Sequence, residues 1–94
     1  MKNKYRIEYK EQFEVDILTH KKSEQKIIVR KIDKLINELK IHPRFGTGKP
    51  EHLRHHTIET WSRRITDKHR LVYQIQDEIV TVVVISGWGH YGDK

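Results

Sequence analysis

Residues 61–73 read Trp61-Ser62-Arg63-Arg64-Ile65-Thr66-Asp67-Lys68-His69-Arg70-Leu71-Val72-Tyr73. They read as two short strands joined as an antiparallel hairpin through a polar turn at Thr66-Asp67-Lys68-His69. Successive strand side chains point to opposite faces, one toward a core and one toward solvent. Arg63, Arg64, Lys68, His69 and Arg70 are set among the apolar and aromatic residues. The solvated outer face is therefore expected to carry positive charge on a rigid support, a surface suited to phosphate groups.

Two registers compete. A two-residue turn places Arg64 opposite Leu71 and mixes charge with core. A three-residue loop at positions 67–69 pairs Ile65 with Leu71 and gathers Arg64, Thr66, Arg70 and Val72 on one face. The apolar pattern sets register, so the second is expected. Arg63 then shares the face of Ile65 and has to snorkel outward. Adjacent guanidinium groups at Arg64 and Arg70 repel unless an anion lies between them, so the pair reads as an anion site. The bland alternative is two surface arginines, each satisfied by a carboxylate.

Outward from the hairpin, Asp77-Glu78 is a turn signal. Positions 79–85 are a β-branched run, apolar except at Thr81, read as a strand buried on both faces and central in the sheet. On the amino-terminal side, Tyr5, Ile7 and Tyr9 alternate with Lys4, Arg6, Glu8 and Lys10, another strand pattern. Residues 11–20 form a short helix with Phe13 and Ile17 on one face. Ser23 reads as the N-cap of a second helix, with Glu24 at the positive end of its dipole. In that helix Ile28, Ile32, Leu35, Ile36 and Leu39 recur at spacings of three and four. Pro43 stops it. Positions 44–51, Arg44-Phe45-Gly46-Thr47-Gly48-Lys49-Pro50-Glu51, read as a loop. The order is strand-helix-helix-strand-strand-strand: an α+β domain over residues 1–94, its two helices packed on a small, mainly antiparallel twisted sheet.

The chain has 94 residues, 34% of them charged, and a net charge of +6 with histidines neutral. Its isoelectric point is about 9.7. Nucleic acid, an acidic protein or an anionic membrane could each complement that charge. The chain lacks cysteine, which leaves no disulfide or thiolate chemistry and fits a cytoplasmic protein. No segment approaches the ~20 apolar residues of a membrane span, and the amino terminus lacks the apolar run of a secretory signal. Gly46-Thr47-Gly48-Lys49 lacks the spacing of a nucleoside-triphosphate loop and is followed by proline. Of the seven histidines, His55 and His56 are adjacent and point apart on a strand, and no metal-binding spacing occurs, so no metal or cofactor is expected. No serine sits in a nucleophile elbow.

Trp61-Ser62-Arg63-Arg64-Ile65-Thr66, then His69-Arg70-Leu71-Val72-Tyr73, closely resembles the YoeB/Txe toxins of the RelE-like superfamily. Gly46-x-Gly48-Lys49-Pro50-Glu51-x-Leu53 and His90-Tyr91 carry the same resemblance. The central block is specific, whereas the helices match in pattern only. The likeness implies a RelE-like microbial-ribonuclease-type fold and a ribosome-dependent endoribonuclease that cleaves mRNA. Its implied partners are a YefM/Axe-like antitoxin, the ribosome, a second copy in a homodimer, and operator DNA only through the antitoxin. The family's general base falls on Glu51, its essential arginine on Arg70 and its general acid on His90. Arg64 is a supporting basic residue, Tyr91 the neighbouring aromatic and Lys49 a phosphate or RNA contact. Familiar members end at the His-Tyr pair; here Gly92, Asp93 and Lys94 follow.

These residue types suit RNA cleavage without metal. The 2′-hydroxyl is the nucleophile, so a base must take its proton, an acid must protonate the leaving 5′-oxygen, and cations must steady the phosphorus-bound oxygens. Two other classes compete. One is a non-catalytic toxin or nucleic-acid-binding module on the same scaffold, such as a gyrase-poison-like relative. The other is an interaction protein whose basic face serves an acidic partner. Neither has a use for Glu51, Arg70 and His90 together.

Overall fold

The fold is built around the second predicted helix. The computed structural model describes residues 4–89. The strand β1 (Arg6–Tyr9) is followed by helices α1 (Glu11–Lys22) and α2 (Lys26–Leu39), then strands β2 (Glu51–Leu53), β3 (Thr60–Arg64), β4 (Arg70–Gln76) and β5 (Thr81–Ser86). A short 3-10 turn, Asp77–Ile79, joins β4 to β5. On α2 the predicted stripe is the core face: Ile32, Leu35, Ile36 and Leu39 are buried, and Ile28 packs beside them.

Ser23 does not cap α2. It is the C-cap of α1. The Gln25 amide donates to His20 O and the Glu24 amide to Lys21 O, with Glu24 at φ 57°. That paired bonding around a left-handed residue is a Schellman stop, so the chain finishes one helix where the sequence suggested the start of the next. The α2 helix begins at Lys26 behind Gln25, which makes no side-chain cap.

The strands form one five-stranded sheet in the order β1-β5-β4-β3-β2. β1 runs parallel to β5, and the other three pairings are antiparallel. The β5 strand lies inside the sheet between β1 and β4, not at its centre as the β-branched run predicts, for the centre is β4; Thr81, Val82, Val83 and Val84 are nonetheless all buried. It starts two residues later than the run: Ile79 is exposed in the turn and Val80 adopts φ 49°. The sequence reading missed β2, a three-residue strand at the start of which Glu51 sits.

The hairpin register differs from expectation. Arg64 pairs with Arg70, Arg63 with Leu71 and Trp61 with Tyr73. Ile65 and Thr66 leave the ladder, and both amides donate to His69 O. The slip is two residues, so faces are preserved and only the loop lengthens. Leu71, Tyr73, Ile75, Val82 and Val84 meet Phe13 and α2 in the core. The opposite face is less open than alternation implies. Thr60, Ser62, Val72, Thr81 and Val83 are buried there, although the helices pack on the other side.

Arg63 does not snorkel. It is fully buried. Its guanidinium donates to Glu38 Oε1 at 2.7 Å, His42 O at 2.6 Å, Phe45 O at 2.9 Å, Thr47 O at 3.3 Å and the Tyr73 hydroxyl at 3.1 Å. Planar guanidinium geometry meets that many acceptors at once, and this satisfaction makes a buried cation tolerable.

Candidate active site

The loop preceding β2 is held from beneath. The Glu38 carboxylate on α2 accepts from the Thr47 amide at 2.9 Å, from its hydroxyl at 2.6 Å, and from Arg63. Burial pushes the Glu38 carboxyl up, but the bonds from Thr47 and Arg63 outweigh it and leave the group below its ordinary value. Tyr73 donates to Pro43 O at 2.8 Å, and burial raises its phenol.

Gly48 sets the approach to the hairpin. Its carbonyl accepts from the Arg64 amide at 2.7 Å. Its φ is +88°, and a Cβ there would lie 2.9 Å from Arg64 O. Glycine is therefore required both for the conformation and for the contact. Lys49 follows at φ 51°, exposed, and Pro50 leads into β2.

Glu51 pairs with Ser62, and Ser62 with Val72. Alternation then puts the side chains of Glu51, Ser62, Arg64, Arg70 and Val72 on one face. Glu51 Oε1 lies 3.6 Å from Arg70 NH1, and Arg64 NH1 lies 3.7 Å from Asp67 Oδ1. Both separations exceed the ~2.7–2.9 Å of a charge-assisted hydrogen bond. Each arginine is thus near a carboxylate without being locked to it, and the two guanidinium groups leave the sheet from directly paired positions. Glu51 is 63% exposed, Arg64 44% and Arg70 21%, so the carboxylate is the open end of the group.

The structure brings Glu51, Arg64 and Arg70 together, with Lys49 two residues from Glu51. His90 and Tyr91 lie outside the described residues. The segment before them is anchored. Gly87 N donates to Asp16 Oδ2 at 2.9 Å, and His20 Nε2 lies 3.0 Å from Gly87 O. Arg70 N donates to Gly89 O at 2.9 Å, and Gly89 N to His69 Nδ1 at 2.9 Å. The sequence reading missed Asp16 and His20. Their signal was present: positions 13, 16, 17 and 20 share one helical face, and a buried polar group on an apolar stripe carries information.

The family model of the YoeB-like toxin of bacterial type II toxin–antitoxin system matches residues 9–91. Toxin YoeB of Escherichia coli (strain K12) is 47% identical over 57 residues, covering 61% of this chain and 68% of that protein. The YoeB dimer from Staphylococcus aureus superposes with a TM-score of 0.80 at 30% identity, over 94% of this chain and 99% of the other. The YoeB-YefM complex from the same organism gives 0.77 at 31% identity, over 93% and 98%.

Proposed function

We propose a reaction from this premise: the chain belongs to the YoeB-like toxin family of bacterial type II toxin–antitoxin systems. It is a metal-independent endoribonuclease that cleaves mRNA on the ribosome. The observation that carries this reading is the grouping of Glu51 with Arg70, 3.6 Å apart, and with Arg64 paired to Arg70, on one sheet face.

Glu51 takes the proton of a ribose 2′-hydroxyl, and the 2′-oxygen attacks the adjacent phosphorus. Arg70 and Arg64 bind the two non-bridging oxygens as negative charge builds. His90 gives its proton to the departing 5′-oxygen. The bond from phosphorus to that oxygen breaks, leaving a 2′,3′-cyclic phosphate and a 5′-hydroxyl. Base and acid are each worth roughly 10²–10⁴-fold. Fixed cations near the phosphate contribute comparably. Lys49 and Tyr91 hold the flanking RNA.

Cations at the site oppose protonation of an acid brought close to them, and a bound phosphate reverses that effect. The site is therefore complete only with RNA in place, which supports dependence on the ribosome to present it. The basic surface is also expected to take an acidic YefM-like antitoxin, and the chain to self-associate, as the Staphylococcus aureus relatives do with YefM and as a YoeB dimer. The proposed substrate places the reaction in the cytoplasm; among the described residues no helix is long and apolar enough to cross a membrane.

The test is cleavage of a translated mRNA by purified protein in EDTA. Wild type is expected to cut, with Glu51→Ala, Arg70→Ala and His90→Ala each down at least ~100-fold. Growth arrest with intact mRNA, or undiminished cutting by the variants, overturns the assignment.

A further inference from the structure

We propose that His69 is a positioning residue of the site: its Nδ1 holds the amide of Gly89, the residue that precedes His90 in sequence, against the hairpin at Arg70. This rests on the reading of His90 as the general acid.

Both backbone polar groups of Gly89 are taken by consecutive residues of the hairpin. The amide donates to His69 Nδ1 at 2.9 Å, and the carbonyl accepts from Arg70 N at 2.9 Å. The residue that carries a phosphate-binding guanidinium and its neighbour thus grip the same glycine. Gly89 stands at φ +75°, and none of the described residues lies within 4 Å of where a Cβ would be, so among them it is backbone shape, not crowding, that calls for glycine.

Behind this joint three rings meet. Trp88 lies 4.5 Å from His69 and 4.7 Å from His20, centroid to centroid, and the two imidazoles are 4.9 Å apart edge to face. His20 is fully buried. Gly87 O can only accept, so His20 Nε2 carries the proton in their 3.0 Å contact. Asp16 holds the Gly87 amide from the same helix. Gly87 and Gly89 are thereby each bonded at both N–H and C=O, to α1 and to the hairpin respectively.

The His69 bond requires an unprotonated Nδ1, because protonation turns the acceptor into a second donor facing Gly89 N–H. Among the described residues, titratable or charged groups around the joint include Asp16 and His20 on α1, Lys31 of α2, whose Nζ reaches Ile65 O at 3.3 Å, and Asp67, Lys68 and Arg70 of the hairpin. Protonation of His69 therefore breaks one of the two tethers on Gly89.

The experiment uses the full ¹⁵N-labelled chain. At neutral pH a through-hydrogen-bond ¹⁵N–¹⁵N coupling is expected between Gly89 N and His69 Nδ1, disappearing as His69 protonates. His69→Asn places a non-titrating Oδ1 near the Nδ1 position, so its Gly89 amide stays protected from exchange in acid as at neutral pH; in His69→Ala protection is lost at both. In ribosome-dependent cleavage, His69→Ala is expected to lose ~10–100-fold in kcat with KM little changed, since small misplacements of a catalytic group cost that much. His69→Asn should restore most of the rate and remove the matching step from the acid limb. Absence of the coupling with unaltered Gly89 exchange in His69→Ala overturns the proposal, as does an Asn variant as slow as the Ala variant. If wild type shows the coupling but cuts no mRNA, the assigned reaction fails and the tether stands.

Discussion

Arg64 and Arg70 are direct cross-strand partners, the last pair of the β3–β4 ladder, and their side chains leave the sheet from the same face. Like charges placed opposite one another destabilise a sheet by a fraction of a kcal/mol to ~1 kcal/mol. Arg64 is 44% exposed and the Asp67 carboxylate is 3.7 Å away, so solvent and salt screen much of that repulsion. Arg64→Gln should therefore gain up to about 0.5 kcal/mol at low ionic strength, and the gain should fade as salt is added. The same variant should cleave at least ~10-fold more slowly, having lost one phosphate contact. Thermal melts at several salt concentrations, set beside cleavage rates, check both halves; a variant that is both less stable and fully active contradicts the pairing argument.

Arg63, one residue away, has the opposite role. It is buried and bonded to Glu38, Tyr73 and three loop carbonyls. Arg63→Ala strands those acceptors and the Glu38 carboxylate, a loss of roughly 3–5 kcal/mol. In a domain of this size each kcal/mol is worth about 4–8 °C. The melting temperature should fall by more than ~12 °C, and Arg63→Lys should recover only part of it, since an ammonium cannot reproduce the fork. Calorimetry decides this; a fall of only a few degrees contradicts the account.

That contrast shows what the sequence could and could not convey. Alternation put Arg64 and Arg70 on one face, and a two-residue register slip left that inference intact because the strand period is two. The same alternation put Arg63 on the core face, where a general preference for exposing charge argued for snorkelling. Only the contacts reveal that α2 and the loop at 42–47 supply it with acceptors, and those are 16–25 positions distant in sequence. The helix stripe was legible because α2 has one buried face. Ser23 misled because the same residue type suits either side of a helix junction, and the backbone reversal fell on Glu24, not on a glycine. The β2 strand was hidden by its length of three residues and by the proline before it. Glu51 received its role as base only through family resemblance, whereas its proximity to Arg70 follows from the β2–β3–β4 ladder.

Acid should weaken the fold through three carboxyl groups. The bond from Arg44 holds Glu59 below its ordinary value, and bonds from Tyr5 and Arg44 do the same for Asp77. For Glu38, burial works upward but Thr47 and Arg63 win. A depressed folded value gives stability that is complete above the unfolded carboxylate range, about pH 4, and that disappears as pH falls through the folded value. Stability should therefore be level from neutrality down to about pH 5 as far as these groups are concerned, then drop. Glu59→Gln should flatten part of that drop while lowering stability at neutral pH. Denaturant midpoints between neutrality and strong acid provide the measurement, and an acid limb identical in the variant contradicts the linkage.

Gly48 links fold to site more tightly than any charged residue in its loop. Its carbonyl takes the Arg64 amide at 2.7 Å, and an added Cβ would come within 2.9 Å of Arg64 O. Backbone atoms cannot swing aside as a side-chain tip can, so Gly48→Ala must displace the loop from β3. The left-handed φ of +88° adds roughly 1–2 kcal/mol for any L side chain. Lys49 and Glu51 lie one and three residues further on, so displacement moves them away from Arg70. Placement errors of an ångström can cost about 100-fold in rate. Gly48→Ala is thus expected to remain folded, lose ~1–3 kcal/mol of stability and lose most of its cleavage activity. Gly89→Ala has a comparable φ of +75° but meets none of the described residues within 4 Å. It should pay the backbone cost alone, so its stability loss should be the smaller of the two. Paired melts of these variants separate strain from collision; equal losses would mean that the contact with Arg64 contributes nothing.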